Sequence, residues 1–217
     1  MNTAITLIIL ILSVIVHEIA HGYAANSLGD PTARLAGRLT MNPIPHIDIF
    51  GSVIIPALLV IGGSPILFGW AKPVPYNPYN LRNQRLGEAL VAIAGSATNI
   101  FLAIVFGLFA RFGSIVLSTG GLTSFQATII SLSALIALVN LFLGLFNLIP
   151  FPPLDGFTVL RSLLPWRLSS GLIRLEHWVH SVGILSLVLF LIVFSYVFAE
   201  PFFNLVLWLF NLITGGI

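Results

Sequence analysis

The run His17-Glu18-Ile19-Ala20-His21 sets two imidazoles and a carboxylate at a spacing that suits metal chemistry. On a helix, positions i and i+4 share one face, so His17 and His21 can grip one metal ion. Glu18 falls on a neighbouring face, near enough to handle the proton of an attacking water. The residues that lead into the run, Ala4–Val16, are almost wholly apolar. Ionisable side chains at membrane depth are costly and mark function by default. Two histidines are an incomplete zinc site, because catalytic zinc typically takes three protein ligands and keeps one position open.

The elements that must carry these groups are membrane helices. Of the 217 residues, 58% are hydrophobic and 7% charged, against roughly a quarter charged in soluble chains. The composition predicts an integral membrane protein; taken with the His-Glu run, the expected fold is an all-α polytopic membrane protein with four to six membrane helices around a zinc site. A net charge of +2 is too small to suggest nucleic acid as a partner. With no cysteine, any metal must be held by nitrogen and oxygen. No Lys or Arg precedes the first apolar run, so a cleavable signal peptide is not expected.

Four stretches approach or exceed the roughly 20 residues a bilayer requires: Ala4–Ala25, Gly87–Phe112, Phe125–Ile149 and Val179–Ala199. Pro201–Thr214 is shorter and reads as a short span or an interfacial segment anchored by Trp208. Phe50–Phe68 is interrupted by Pro56 and by Gly62-Gly63-Ser64-Pro65, which suits a re-entrant segment between the first two long spans. Charge supports that reading. If Phe50–Phe68 enters and leaves by one face, Arg34, Arg38, Lys72, Arg82, Arg85, Arg161, Arg167 and Arg174 share a side, which the positive-inside rule makes cytoplasmic. Gly69–Pro75 is extended, because Pro73 and Pro75 forbid helix, and it reads as a strand for pairing with substrate or as a lid.

The third ligand must come from Asp30, Asp48, Glu88, Asp155, Glu176, Glu200, His46, His177 or His180. Asp155 is best placed. It lies in Asn147–Gly156, where prolines end the third span near the face at which the first span also ends. The His-Glu run sits roughly 10 Å from that end at 1.5 Å per residue, so a short fold back into the membrane reaches it. The competing reading makes Asp155 an N-cap for the following helix. His46 reads more readily as a loop residue bonded to Asp48 or to backbone than as a ligand or gate. His177 and His180, with Glu176 and Trp178, read as an interfacial cluster.

Taken together, His17-Glu18-Ile19-Ala20-His21 and Asn147–Gly156 resemble the paired motifs of the site-2 protease family of intramembrane zinc metalloproteases, in its compact form without a PDZ domain. Ala94-Gly95-Ser96-Ala97-Thr98-Asn99 resembles that family's Gly-Pro-x-x-Asn element, with Ser96 where proline is usual. The resemblance implies that His17, His21 and Asp155 bind one catalytic Zn2+ and that Glu18 is the general base. It also implies that Asn147 stabilises the oxyanion; satisfaction of backbone at the helix end is the alternative. Gly95 and Asn99 are explained equally by close helix packing. The relatives' PDZ domain and their extra span before the His-Glu helix are not expected here.

The implied function is hydrolysis of peptide bonds within or near transmembrane segments, with a transmembrane protein or peptide and the lipid bilayer as partners. The implied setting is a prokaryotic plasma membrane, multi-pass, with the active site toward the cytoplasm. Residues 1–217 form one membrane-embedded domain in this reading, with a catalytic core of about 1–165 and C-terminal helices of about 176–217. The competing classes are a metal or proton transporter that uses the same His/Asp cluster and a catalytically inactive membrane scaffold.

Overall fold

The computed structural model describes residues 3–54, 57–58, 61–62, 71–118 and 123–216. These are helical or irregular, with no strand among the described residues. The long elements are α1 (Thr3–Ser27), α3 (Gln84–Ser118) and α4 (Ser124–Asn147). Short helices α2 (Thr32–Leu35), α5 (Asp155–Leu163) and α6 (Trp166–Val182) lie between or after them. The chain closes with α7 (Ile184–Val193), a π-helical turn at Phe194–Phe198, and α8 (Ala199–Thr214). Four stretches are long and apolar enough to cross a bilayer: Ala4–Ser27, Gln84–Val116, Ser124–Asn147 and Leu185–Thr214. Large apolar side chains such as Ile8, Ile11, Phe101 and Phe109 are exposed on them, as lipid contact requires. The chain is an integral membrane protein.

The first three spans fall where hydropathy predicts, whereas the fourth is displaced. The run from Val179 divides at Gly183, whose φ of 64° ends α6 and starts α7 at a new angle. Beyond it the helix continues through Pro201 to Thr214, so Pro201–Thr214 is the second half of a span. A proline ring clashes with the carbonyl four residues earlier, here Val197. The wider π turn at Phe194–Phe198 encloses that carbonyl and lets the helix pass. Phe50–Phe68 lies largely outside the described residues; Ile49–Ile54 opens it as a π-helical turn.

Contacts divide the chain into two compact units, Met1–Gly95 and Ser96–Ile217. In the first, α1 ends at Gly29, which takes a φ of 114° and lets the Asp30 N–H return to Ala25 O at 2.9 Å. Asp30 is fully buried and acts as a hub. It accepts from the Thr32 N–H and hydroxyl, from the Asn77 N–H at 2.6 Å and from Asn80 Nδ2 at 2.8 Å. Burial by itself would raise its carboxyl; the bonds from Thr32, Asn80 and Asn77 outweigh that and hold it below the usual carboxylate value. Arg82 N–H adds a bond to Leu28 O at 3.0 Å. The chain that leaves α1 therefore returns to the same end of α1 just before α3 begins.

The second unit packs α4 and α8 with the later part of α3 around Ala103, Leu141 and Val206. Small residues permit the approach: a Cβ at Gly107 would lie 2.6 Å from Ile213 Cγ2, and one at Gly144 would lie 2.8 Å from Ile100 Cγ1. The rings of Phe142, Phe146, Phe194 and Phe202 pack at centroid separations of 5.4–6.2 Å. Asn99 Nδ2 donates to Asn140 Oδ1 at 2.8 Å in the buried interior, an interhelical bond of about 0.6 kcal/mol in membrane helices. Arg111 Nη1 donates to Leu212 O at 3.3 Å, the favourable place for a cation near a helix C-terminus.

Candidate metal centre

Two adjoining stripes of α1 carry the chemistry. One holds His17 and His21, the other Glu18 and Gly22, each pair one turn apart. The histidine stripe faces α3. His21 Nδ1 lies 2.7 Å from Val91 O, so this nitrogen carries the proton and donates to the carbonyl. That leaves the His21 Nε2 lone pair for a metal, the usual outer support of a ligating imidazole. His17 Nε2 lies 3.0 Å from His21 Nε2, with the rings edge to face at 88°. A proton shared between the two nitrogens accounts for this separation. So does a common metal, since two nitrogens on one tetrahedral zinc sit about 3.3 Å apart.

Glycine makes the space. A Cβ at Gly95 would lie 2.5 Å from His21 Nε2 and 2.7 Å from His17 Cε1, so only a bare backbone admits both rings there. The signal for it, Gly95 in the Ala94–Asn99 stretch, was legible in the sequence. Gly22 follows His21 directly, but no motif in the sequence marks it. A Cβ there would meet Leu39 Cδ2 at 2.5 Å and Val74 Cγ1 at 2.9 Å. Glu18, half-buried on the same stripe, accepts the Val74 N–H at Oε2, 2.8 Å away.

Asp155 is the first residue of α5. It is not the N-cap; Leu154 occupies that position and makes no side-chain cap bond. The Asp155 carboxylate instead accepts the Ser96 hydroxyl at Oδ2, 3.3 Å away. Ser96 is fully buried, so the residue that replaces the family's proline acquires a polar task. Gly156 locks this corner against the end of α4: a Cβ there would lie 2.0 Å from Leu148 O. Phe151–Leu154 makes tight turns, with Leu154 N–H on Phe151 O at 2.8 Å. Thus the histidine pair rests on position 95 and Asp155 on position 96, consecutive residues of the unbroken helix α3. His17, His21 and Asp155 each offer one atom able to ligate a metal ion.

The other candidates are placed as follows. Asn147 is the last residue of α4, and its Nδ2 donates to Leu143 O at 3.0 Å. His46 is 2% exposed; its Nε2 contacts Thr40 O at 3.0 Å and its own carbonyl accepts the Lys72 N–H at 2.9 Å. Asp48 caps its own turn through the Gly51 N–H at 2.7 Å and does not pair with His46. Glu176 lies 3.4 Å from Arg161 Nε, His177 is exposed, and the His180 side chain lies outside the described residues.

Residues 5–191 match the family described as Peptidase family M50. The chain belongs to peptidase family M50. YwhC of Bacillus subtilis, named as a candidate zinc metalloprotease, is 38% identical over 201 residues, covering 93% of this chain and 83% of its own. Rip2 of Mycolicibacterium smegmatis carries the same description and is 27% identical over 202 residues, covering 93% of this chain and 71% of its own. The zinc metalloprotease MJ0392 of Methanocaldococcus jannaschii is 27% identical over 161 residues, 74% of this chain and 34% of its own. No solved structure matches. The M50 assignment bears out the resemblance to site-2 proteases: the chain is an intramembrane metalloprotease, and the transporter and scaffold classes are not favoured.

Proposed function

We propose that this chain is a zinc-dependent intramembrane endopeptidase that hydrolyses peptide bonds within or near transmembrane segments of membrane proteins. His17, His21 and Asp155 are its zinc ligands and Glu18 its general base. The observation that carries this reading is the convergence of two imidazole Nε2 atoms over the bare backbone of Gly95, with a carboxylate on the adjoining stripe. When bound, zinc supplies a Lewis acid that polarises the scissile carbonyl and brings the pKa of water toward neutrality. Glu18 takes the proton of the attacking water and returns it to the leaving amine. His21 keeps its Nδ1 proton on Val91 O and so presents a fixed lone pair. Ser96 orients Asp155. Asn147 spends one N–H on Leu143 O, which leaves the other for the developing oxyanion.

Zinc content and cleavage, measured on the same purified samples, test this. The protein is expected to carry about one zinc per chain and to cleave a single-span transmembrane peptide. Asp155→Asn should lower zinc affinity at least about tenfold and lower cleavage with it. An Asp155→Asn protein with native zinc affinity and native rate would remove Asp155 from the ligand set.

The same reading treats residues 1–217 as one catalytic domain, multi-pass in a prokaryotic plasma membrane, with its site toward the cytoplasm. The bonds from Asn77, Asn80 and Arg82 back to Asp30 and Leu28 support it, because they return the chain to the end of α1 without a net crossing. The chain has no cysteine, so single cysteines report cleanly. Cysteines at Asn83 and Arg167 are expected to react with an impermeant reagent from the cytoplasmic side only. Labelling of position 83 from the outer side would mean that Phe50–Phe68 crosses.

A further inference from the structure

The segment Lys72–Asn77 has no regular secondary structure, yet it is fastened along its length. Lys72 N–H bonds to His46 O at 2.9 Å, Val74 N–H to Glu18 Oε2 at 2.8 Å, and Asn77 N–H to Asp30 Oδ2 at 2.6 Å. Pro73 and Pro75 have no N–H. From Lys72 to Pro75 every N–H is already taken, so this stretch is held in place as a brace.

The brace is held from its other side by Arg38. This guanidinium is only 8% exposed, and its Nη2 donates to Lys72 O at 2.7 Å and to Pro73 O at 3.3 Å. Among the described residues its Nε is buried without a hydrogen-bond partner. Burying a guanidinium is costly unless its donors are met. A rigid fork that spans two successive carbonyls fixes the intervening peptide in a way that a flexible lysine does not. The fixed residue next in line is Val74. Its side chain is buried against Gly22 while its N–H meets Glu18, so both anchors fall on the Glu18/Gly22 stripe of α1.

We propose that Arg38 is a positioning residue for the general base: its guanidinium fixes the Lys72–Val74 brace, and the Val74 N–H fixes the Glu18 carboxylate. A glutamate has rotatable bonds that must be frozen in one arrangement for proton transfer. With Oε2 held by Val74, Oε1 is left to face the attacking water. The proposal rests on the reading of Glu18 as base, and the test separates the two.

The full chain is compared with Arg38→Ala, with Arg38→Lys, and with a variant in which an ester oxygen replaces the Val74 peptide N–H. Zinc content, kcat and KM on a single-span transmembrane peptide, and amide hydrogen exchange over residues 71–77 are measured. Arg38→Ala should keep its zinc and its KM within about twofold. It should lose about ten- to a hundredfold in kcat, the scale of a misplaced catalytic group, and exchange faster over the brace. Arg38→Lys should recover part of the rate. The ester should reproduce the kcat loss, and its combination with Arg38→Ala should cost no more than the larger single change. Native kcat in the ester variant, or losses that multiply, overturns the proposal. If Arg38→Ala does not accumulate in membranes, the ester variant decides alone. Native cleavage by Glu18→Gln would remove the base reading itself, whereas a dead Glu18→Gln beside a fully active ester variant would remove only the role of Arg38.

Discussion

Glu18→Gln is expected to retain zinc at the native level and to lose at least about a hundredfold in cleavage rate, the lower end for removal of general acid–base catalysis. The substitution preserves the length and shape of the side chain. It can still accept the Val74 N–H through its amide oxygen, so the brace need not move. What it cannot do is take a proton. Glu18 lies on a different stripe of α1 from His17 and His21, which is why metal should stay when the charge is removed. The contrast with Asp155→Asn, where metal and rate fall together, separates base from ligand. Zinc by atomic absorption and single-turnover cleavage on one preparation decide the matter. A Glu18→Gln protein that cleaves at near-native rate would refute hydrolysis through this carboxylate and return weight to the transport class.

Gly95→Ala should be nearly as damaging by an opposite route, with loss of metal first and of rate as a consequence. The added methyl would sit 2.5 Å from His21 Nε2 and 2.7 Å from Cε1 of both rings, against the ligating edge itself. Neither ring has an easy retreat. His21 is tied to Val91 O at 2.7 Å, one turn away on the same helix that would carry the methyl. Relief requires that bond to break or α1 to withdraw from α3. Overpacking of this kind costs about 1–3 kcal/mol, and placed against a ligand pair it should lower zinc affinity about ten- to a hundredfold. Chelator competition on stripped and reloaded protein measures it. Gly171→Ala is the control, since a Cβ there meets nothing within 4 Å and alanine is the better helix residue. Zinc affinity within about twofold of native in Gly95→Ala would show that the cradle is looser than its geometry implies.

The fold was legible where one property runs the length of an element. Twenty apolar residues identify a span whatever they pack against, so α1, α3 and α4 emerge from hydropathy. It failed where two punctuating residues compete inside one apolar run. Between Val179 and Thr214 the proline looks like the stronger break, yet the helix passes Pro201 through a π turn and divides at Gly183. Hydropathy is the same for either outcome; the choice depends on which carbonyl can be displaced. Likewise Asp155 reads as a cap or a ligand from sequence, and its place as the first helical residue, bonded to Ser96, removes the capping alternative.

The sequence by itself determined that His17 and His21 share a face and that Glu18 does not, because helical periodicity is local and needs no partner. It determined the apolar setting that makes those residues costly, and hence the class of chemistry. The tertiary structure alone decided what stands opposite each stripe. Val91 and Gly95 face the histidines, and Val74 reaches Glu18 from 56 residues away, on a segment whose Lys72 carbonyl meets an arginine that the sequence presents only as one positive charge among several. Periodicity fixes the direction in which a side chain points. The partner it meets depends on register and close approach between distant segments, and those are set by packing and by the few glycines that permit it.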